Sequence, residues 1–276
     1  MGLPAWRVDL KSFEKLVLPP LETELIQRPL PEENLGFITL KFTNMRWNKT
    51  LLLICLLYVI PKMMAMENQR WEVLFDGKNT DKWRSLKTET FPSQGWEIKD
   101  GALVVKNKSK AQDIITKEVY NDFELVFDFK LTVGANSGIK YLVEKIKNND
   151  AGTMEWNGPE YQIIDDNNHP AVKGHVDEKA STASLYLVYA PENKQLHPAG
   201  EWNNGKIIVK GNRIEHWLNG VKVVDCERSS QDFRDRMANT KFKVYDKYGE
   251  LPAGHIMLTD HDGDPCYFRN IRIRRL

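Results

Sequence analysis

The chain has 276 residues, of which 41% are hydrophobic and 28% charged, with 39 Lys and Arg against 38 Asp and Glu. This composition is that of an ordinary globular protein, and a formal net charge of +1 excludes nucleic-acid binding as a leading hypothesis. Three cysteines are too few for a disulfide scaffold, while 8 Trp, 9 Tyr and 11 Phe argue against a disordered chain.

The most apolar stretch of the chain runs from Leu51 to Ile60. As a helix it would span only about 15 Å, half of the roughly 30 Å hydrocarbon core, so it is too short to cross a bilayer unaided. The basic segment Met45–Thr50 precedes it and Pro61 follows it, which is the pattern of a secretory signal peptide. We therefore predict a signal peptide over residues 45–66, no transmembrane span, and export to the bacterial periplasm or the medium.

Residues 1–44 are rich in proline and show no sustained periodicity. Because signal peptides begin at the start codon, we interpret this segment as a mis-assigned upstream extension, with Met45 as the true initiator. The alternative is a genuine cytosolic tail ahead of a buried apolar helix. Residues 67–276 then form a single domain. In that domain Cys226 and Cys266 either pair in an oxidising compartment or remain two buried free thiols.

The rest of the chain is predicted to consist mainly of strands. Phe123–Leu131 alternates strictly between apolar and polar residues, apart from Val126, as expected of a half-buried strand in an antiparallel sheet. Turn sequences predict hairpins at Asp100-Gly101, Gly211-Asn212, Asn219-Gly220 and Asp262-Gly263, the last joining His255–His261 to Cys266–Ile273. Only Ser230–Asn239 indicates a helix. This pattern favours an all-β sandwich or jelly roll with one short helix.

Polar residues concentrate in three clusters. The first is Asn136–Tyr141, which carries Lys140, and the second is Gly158–Asp166. In the second cluster Glu160 and Gln162 lie two residues apart on a strand, so both project from one face. They line either a concave groove or a solvated outer face.

The third cluster, Thr259–Asp264, has Asp residues at alternate positions around His261. It either binds a divalent cation or forms a polar hairpin tip. Tyr186, Trp202 and Trp217 either stack on sugar rings or belong to the core, where the aromatic residues of a sandwich usually lie.

A family resemblance is carried by segments that follow one another along the chain: Leu74–Lys78, Asn136–Tyr141, Glu160–Asp166 with His169-Pro170, Pro198–Asn203, Ile214–Gly220, Gly254–His261 and Phe268–Ile273. Together they resemble the 3-keto-disaccharide hydrolase family, whose members are also called 3-keto-glucoside 1,2-lyases and 3-keto-2-hydroxyglucal hydratases. The resemblance extends over nearly all of residues 71–276. It implies a concanavalin-like jelly roll related in shape to endo-glucanases.

The resemblance also implies a chemistry for glycosides that carry a ketone at C3. The ketone acidifies the proton on C2, so a general base can form an enolate that expels the C1 substituent by β-elimination, after which water can add back. A separate oxidoreductase is expected to make the ketone on a small glycoside or oligosaccharide.

Matching the motifs to these roles gives the expected site. Glu160 or Asp165 is expected as the base, and Lys140 with His261 as the groups that polarise the ketone. The residues expected to contact the sugar are Asn136, Gln162, Tyr186, Trp202 and Arg269. The resemblance implies no particular cofactor, and a divalent metal near Asp260 and His261 is an alternative electrophile to Lys140.

Two other functions stay open on the same fold. A glucanase-like glycoside hydrolase would need two carboxylates flanking the scissile bond, which the Glu160-x-Gln162 pattern does not supply. A non-catalytic sugar-binding module would need no base. A separation of more than about 10 Å between Glu160, Lys140 and His261 would favour binding over catalysis, because one sugar ring could not then touch all three.

Overall fold

The structure is a computed structural model that describes residues 7–9, 37–39, 70–106, 112–173, 178–261 and 263–276. The predicted signal peptide at residues 45–66 lies outside these residues, as does nearly all of the predicted extension. The strands, in chain order, are β1 (Arg7–Asp9), β2 (Phe37–Thr39), β3 (Glu72–Phe75), β4 (Trp83–Ser85), β5 (Trp96–Lys99), β6 (Ala102–Val105), β7 (Ile114–Thr116), β8 (Phe123–Leu131), β9 (Asn136–Asn148), β10 (Thr153–Asn157), β11 (Glu160–Ile164), β12 (Trp202–Lys210), β13 (Arg213–Leu218), β14 (Val221–Glu227), β15 (His255–Leu258) and β16 (Cys266–Arg275).

The chain divides into two compact units, Met1–Pro61 and Lys62–Leu276. In the first unit β1 and β2 pair antiparallel. The second unit holds two antiparallel sheets. In one sheet the order is β10-β9-β15-β7-β4, with β11 also paired to β9; in the other it is β14-β13-β12-β8-β16-β6-β5, with β3 paired to β16. We call them the first and the second sheet. They confirm the predicted all-β jelly-roll sandwich.

The two sheets pack face to face through alternating apolar side chains. In β8 the predicted alternation is confirmed, since Phe123, Leu125, Phe127, Phe129 and Leu131 are buried while the residues between them are half-buried. Phe127 of the second sheet meets Tyr161 of the first edge-on, with ring centroids 5.3 Å apart. Aromatic contact of this kind adds to the burial of apolar surface, so the core lies between the sheets.

The predicted helix is confirmed as α1 (Gln231–Ala238). It begins where the Ser230 hydroxyl accepts a hydrogen bond from the backbone N–H of Phe233, which satisfies one of the free donors of the first turn. Phe233 and Met237, four residues apart, bury one face of the helix. Short 3₁₀ turns occupy Glu178–Ala180 and Lys241–Val244. No helix among the described residues is long and apolar enough to cross a membrane.

Three of the four predicted hairpins form, and the fourth does not. β15 pairs with β7 and β9 in the first sheet, whereas β16 pairs with β3, β6 and β8 in the second. The chain therefore crosses between sheets after β15 instead of turning back at Asp262-Gly263. Of the two alternatives for the cysteines, the structure has the second, because Cys226 and Cys266 are buried and unpaired.

Candidate active site

The outer face of the first sheet carries the candidate site. β11 pairs with β9 so that Glu160 lies opposite Lys140 and Gln162 opposite Gly138. Tyr161 points into the core, so Glu160 and Gln162 point away from it. Both are nevertheless buried, each with 4% of its surface exposed. The outer face is therefore covered here, which favours the groove over the solvated face.

Beside this polar patch the same face turns apolar. At Leu142, which has φ of +50°, β9 bulges and reverses its alternation. Val143 consequently joins Ile115 and Met257 in a small buried cluster, onto which Trp156 packs. The site thus lies beside a buried apolar cluster, near which charges interact more strongly than in water.

Glu160 is the central group of the site. Its Oε1 atom is buried and accepts no hydrogen bond from the described residues. The carboxylate lies against Gly138, where an added Cβ atom would come within 2.1 Å of Oε1. His261 Nε2 is 3.9 Å from the same oxygen. A buried acceptor without a donor is costly to a fold, so a ligand or a water molecule is expected to supply that donor.

His261 is held by a short hydrogen-bond chain. The Thr259 hydroxyl lies 3.3 Å from the Gly138 carbonyl and 3.3 Å from His261 Nε2. Because the carbonyl can only accept, the hydroxyl donates to it and takes a hydrogen bond from Nε2–H. The ring therefore presents an N–H toward Thr259 and Glu160. Its side chain is 41% exposed, so it marks where the site opens to solvent.

Lys140 is the third expected residue of the site, beside Glu160 and His261. Asp113 also belongs to the site, although the sequence did not suggest it. Lys140 Nζ donates to Asn157 Oδ1 at 3.2 Å. Asp113 precedes β7, and its Oδ1 accepts the backbone N–H of Asp260 at 2.9 Å. Burial raises the pKa of Asp113, and the nearby Glu160 adds to the rise, against the lowering influence of that hydrogen bond and of Lys140.

Tyr248 is the second residue that sequence reasoning missed. It is 5% exposed, and its hydroxyl has no hydrogen-bond partner among the described residues. Burial raises its pKa well above the ordinary value, and the Glu160 carboxylate makes a smaller contribution to the rise. The Tyr248 ring stacks on Phe242, which in turn packs against Tyr186, the residue whose N–H donates to the Glu160 carbonyl. Nothing in the surrounding loop sequence distinguishes this tyrosine from its neighbour Tyr245.

The site lies in the part of the chain that matches a known protein family. A family model described as the 3-keto-alpha-glucoside-1,2-lyase-like domain matches residues 70–274.

The chain belongs to this family.

A 3-keto-disaccharide hydrolase of Bacteroides thetaiotaomicron is 31% identical over 227 residues, which cover 74% of this chain and 77% of that protein. Two crystal structures from Parabacteroides distasonis, both provisionally named glycosyl hydrolases, are also similar. The first is 32% identical with a TM-score of 0.65 and covers 78% of this chain and 96% of its own. The second is 28% identical with a TM-score of 0.56 and covers 75% and 100%. The resemblance seen in the sequence is confirmed.

In this lyase-like domain Asp165 lies just beyond Glu160 on the chain but in a different environment. Its Oδ2 accepts from Gly134 N–H and from Asn168 Nδ2, both at 2.8 Å, and its Oδ1 accepts from Asn167 N–H at 3.1 Å. Burial acts to raise the pKa of Asp165, but these hydrogen bonds outweigh it and lower the pKa. Its oxygens are engaged in holding a turn, which makes Asp165 a poor base.

Three of the expected sugar contacts lie on or near the first sheet. Asn136 shares the face of Lys140, and its Oδ1 atom is buried without a hydrogen-bond partner among the described residues. Gln162 Oε1 accepts the backbone N–H of Ile163 at 3.1 Å. Tyr186 lies edge-on to Phe242, with ring centroids 6.0 Å apart. Asn136 is thus the best placed of the three to receive a ligand.

Trp202 and Arg269 are separated from this group. Both are on the second sheet, where Arg269 lies 3.8 Å from the centre of the Trp202 ring and pairs with Asp128 at 3.3 Å. Asp128 alternates with the core residues Phe127 and Phe129, so this cluster lies on the outer face of the second sheet. The core stands between it and Glu160, so Trp202 and Arg269 do not lie beside the carboxylate as expected.

Two other features lie apart from the Glu160 site. The first is a negative result on metal binding. Among residues 70–106, 112–173, 178–261 and 263–276, we find no group of three or more His, Cys, Asp or Glu side chains that could hold a metal ion. Asp260 and His261 therefore do not belong to such a group. A cavity of about 290 Å³ is lined by Asp165, Asp166, Lys194, His197 and their neighbours. None of Glu160, Lys140, His261 or Tyr248 lines that cavity.

Proposed function

We propose that this protein cleaves 3-keto-glycosides by removing the C2 proton and eliminating the C1 substituent, with water adding back to give net hydrolysis. The family of the lyase-like domain and the 3-keto-disaccharide hydrolase among its relatives support a glycoside-cleaving enzyme of this kind. The elimination step itself is argued from the site.

The observation that carries the proposal is the unpartnered Oε1 atom of Glu160. A general base must be ionised, reachable by one proton of the substrate and not engaged elsewhere. Glu160 lies opposite the cation Lys140 in the sheet and accepts nothing at Oε1. Asp165, the other candidate, has its oxygens occupied by a turn. Glu160 is therefore the base of the proposal.

The charge that develops on the C3 oxygen needs positive groups nearby. Lys140 supplies a cation on the same face as Glu160, and the His261 ring lies beside that carboxylate. Preorganised donors of this kind stabilise an enolate best in a site shielded from water. The departing C1 oxygen needs a proton, and Asp113, whose pKa is raised, is the available acid.

Asp113 is also compatible with a second function, the hydrolysis of ordinary glycosides. A glycoside hydrolase acting on ordinary glycosides needs two carboxyl groups across the scissile bond, one of them protonated. Burial raises the pKa of Asp113, and Glu160 adds a smaller contribution, which is the observation that favours this second reaction. The two reactions differ in whether the C3 ketone is needed.

The sugar-binding module is less well supported. His261 Nε2 lies 3.9 Å from Glu160 Oε1, and Lys140 is the register partner of Glu160. One sugar ring can therefore touch all three, which is the arrangement expected of a catalytic site. We further propose that the protein is exported, and that a separate oxidoreductase makes its 3-keto substrate.

The test offers the purified protein a matched pair of substrates, a 3-keto-glucoside and the ordinary glucoside, each with and without a chelator. We expect turnover of the 3-keto-glucoside alone, together with exchange of its C2 hydrogen for deuterium in D₂O. Equal turnover of both glucosides would favour the hydrolase reaction instead. Loss of activity on chelation would mean that a metal ion, and not Lys140, acts as the electrophile.

The matching variant is Glu160→Gln, which keeps the shape of the side chain and removes the base. Turnover and C2 exchange should fall by about 100-fold to 10,000-fold. Glu192→Gln, a change at an exposed glutamate, is the control and should leave both rates unaltered. Retained exchange in Glu160→Gln would remove Glu160 from the role of base.

A further inference from the structure

Tyr248 carries an unpartnered hydroxyl into the site and has no role in the reaction as proposed above. Glu160 Oε1 and the Tyr248 hydroxyl are both buried polar atoms without hydrogen-bond partners among the described residues. One is an acceptor and the other can donate. A chain of contacts joins the two residues: the Tyr186 backbone N–H donates to the Glu160 carbonyl at 3.0 Å, the Tyr186 ring packs edge-on against Phe242, and Phe242 stacks on Tyr248. Two such atoms at one place indicate a ligand that offers a C–H or N–H group to one and an oxygen to the other.

The ring of Tyr248 is fixed, so its hydroxyl has a defined position. It stacks on Phe242 with centroids 4.3 Å apart and planes 13° from parallel. The next residue, Gly249, has φ of +73°, and an added Cβ atom there would lie 2.7 Å from the ring of Phe233. Only glycine meets both conditions, so the loop approaches α1 closely and presents Tyr248 in one orientation.

The same loop is tied down on its far side. Arg234 pairs with Glu250 at 2.9 Å, and the Arg228 guanidinium donates to the carbonyl of Leu251. Since these contacts do not involve the Tyr248 hydroxyl, they hold the loop without satisfying that hydroxyl. A ligand atom that accepts a hydrogen bond from this hydroxyl would offset the energetic cost of burying it unpaired.

We propose that the Tyr248 hydroxyl is a catalytic hydrogen-bond donor to the C3 oxygen of the 3-keto sugar. Glu160 takes the proton from C2, and the electron pair of that C–H bond forms the C2–C3 double bond while the carbonyl electrons move onto the C3 oxygen. Tyr248 donates a hydrogen bond to that oxygen and keeps its proton. When the C1–O bond breaks, the electrons return through C2 to form the C1–C2 double bond and the C3 ketone.

A donor in this role should stay protonated throughout the working pH range. Burial raises the pKa of Tyr248 well above its ordinary value, so the hydroxyl remains neutral. A neutral donor in a water-excluded site stabilises the enolate without adding a net charge that would have to be desolvated. Lys140 then supplies the longer-range positive charge.

The inference rests on the proposed elimination, and its test uses Tyr248→Phe in the full-length protein with methyl 3-keto-glucoside as substrate. We expect kcat and the rate of C2 deuterium exchange to fall by about 100-fold to 1,000-fold, with KM changed by less than about threefold. The melting temperature should not fall, because the hydroxyl that is removed makes no hydrogen bond in the fold.

The control is Tyr189→Phe, which removes a hydroxyl that donates to Asp232 at 2.6 Å, outside the site. It should lower the melting temperature slightly and leave kcat and exchange unchanged. If Tyr248→Phe keeps kcat and exchange within about threefold of an active wild type, or if it melts at a lower temperature, the role assigned to Tyr248 is wrong. If the wild type itself neither cleaves nor exchanges the substrate, the proposed function fails first.

Discussion

Glu160 and Asp165 are equally buried, with 4% of each exposed; Glu160 begins strand β11, and Asp165 directly follows its last residue. Their surroundings nevertheless give them opposite character. Asp165 is surrounded by N–H groups from Gly134, Asn167 and Asn168, whereas the Oε1 atom of Glu160 has none. A carboxylate that accepts several hydrogen bonds is a structural anchor, and one with a free oxygen can take a proton from a substrate.

Replacing Asp165 tests this distinction. In Asp165→Asn the new amide presents N–H groups to donors, so we expect a loss of about 1–3 kcal/mol in the free energy of unfolding. The kcat value should change by less than about tenfold, far less than in Glu160→Gln. Urea denaturation and steady-state kinetics measure both, with exposed Asp150→Asn as the control. A stable Asp165→Asn protein without activity would transfer the role of base to Asp165.

At the scale of secondary-structure elements, the pairing of strands β9 and β11 determines the shape of the site. Gly138 is diagonal to Glu160 across this pair, and the absence of a side chain leaves room for the carboxylate. The geometry of Glu160 therefore depends on the neighbouring strand as well as on its own residues. An apolar side chain at residue 138 would have to displace the base or push the strands apart.

Gly138→Ala should consequently remove activity without removing any functional group. Its Cβ atom would lie 2.1 Å from Glu160 Oε1, so the carboxylate must move. We expect kcat to fall by about 10-fold to 100-fold, since a displacement of about 1 Å can cost that much. In a double-mutant cycle with Glu160→Gln the second change should add little, because both act on one carboxylate. Fully additive losses would contradict the shared mechanism.

Local pattern predicted the elements well, and partners remote in sequence explain what it missed. The alternation of Phe123–Leu131 and the cap of α1 at Ser230 are set by residues close in sequence, and both are confirmed. The crossing between β15 and β16 depends on which sheet each strand joins, which turn residues do not encode. Motif matching likewise named Arg269 as a sugar contact, but it did not indicate on which of the two sheets this residue lies.

The same distinction applies to the site: sequence motifs identified some of its residues, and the fold alone revealed the others. Glu160, Lys140 and His261 were found through sequence motifs, and the fold brings them together. Asp113 joins them from a strand end, through its hydrogen bond with Asp260, and Tyr248 from a loop, through its stacking on Phe242; neither has a sequence pattern of its own. Their contribution arises only from burial and proximity, which are properties of the folded chain.

At the scale of the whole molecule, a buried polar bridge links the two sheets. His216 of β13 lies 3.1 Å from the carbonyl of Ala183 through Nδ1 and 2.9 Å from the Tyr141 hydroxyl of β9 through Nε2. Since the carbonyl can only accept, Nδ1 carries the hydrogen and Nε2 accepts from Tyr141. The bridge therefore requires a neutral ring. Burial lowers the pKa of His216 from 6.5 to about 4, despite the opposing hydrogen bond to Ala183.

Acid should weaken the sandwich through this residue. Between pH 6.5 and about 4 the unfolded chain binds a proton that folded His216 does not, so the free energy of unfolding falls as the pH falls through this window. The loss from this one group is on the order of 3 kcal/mol. Urea titrations at several pH values should show a smaller loss for His216→Gln. An NMR titration in which folded His216 protonates above pH 6 would contradict the prediction.

The two buried thiols have a consequence for how this molecule can be handled. Burial raises the pKa of Cys226 to about 12 and that of Cys266 further still, so neither is present as the reactive thiolate near neutral pH. No crosslink between them holds the described fold together, and neither is accessible to an oxidant. The same native structure should form with or without a reducing agent, in an oxidising compartment or a reducing one. The stability of the sandwich should therefore not depend on the redox potential of its surroundings.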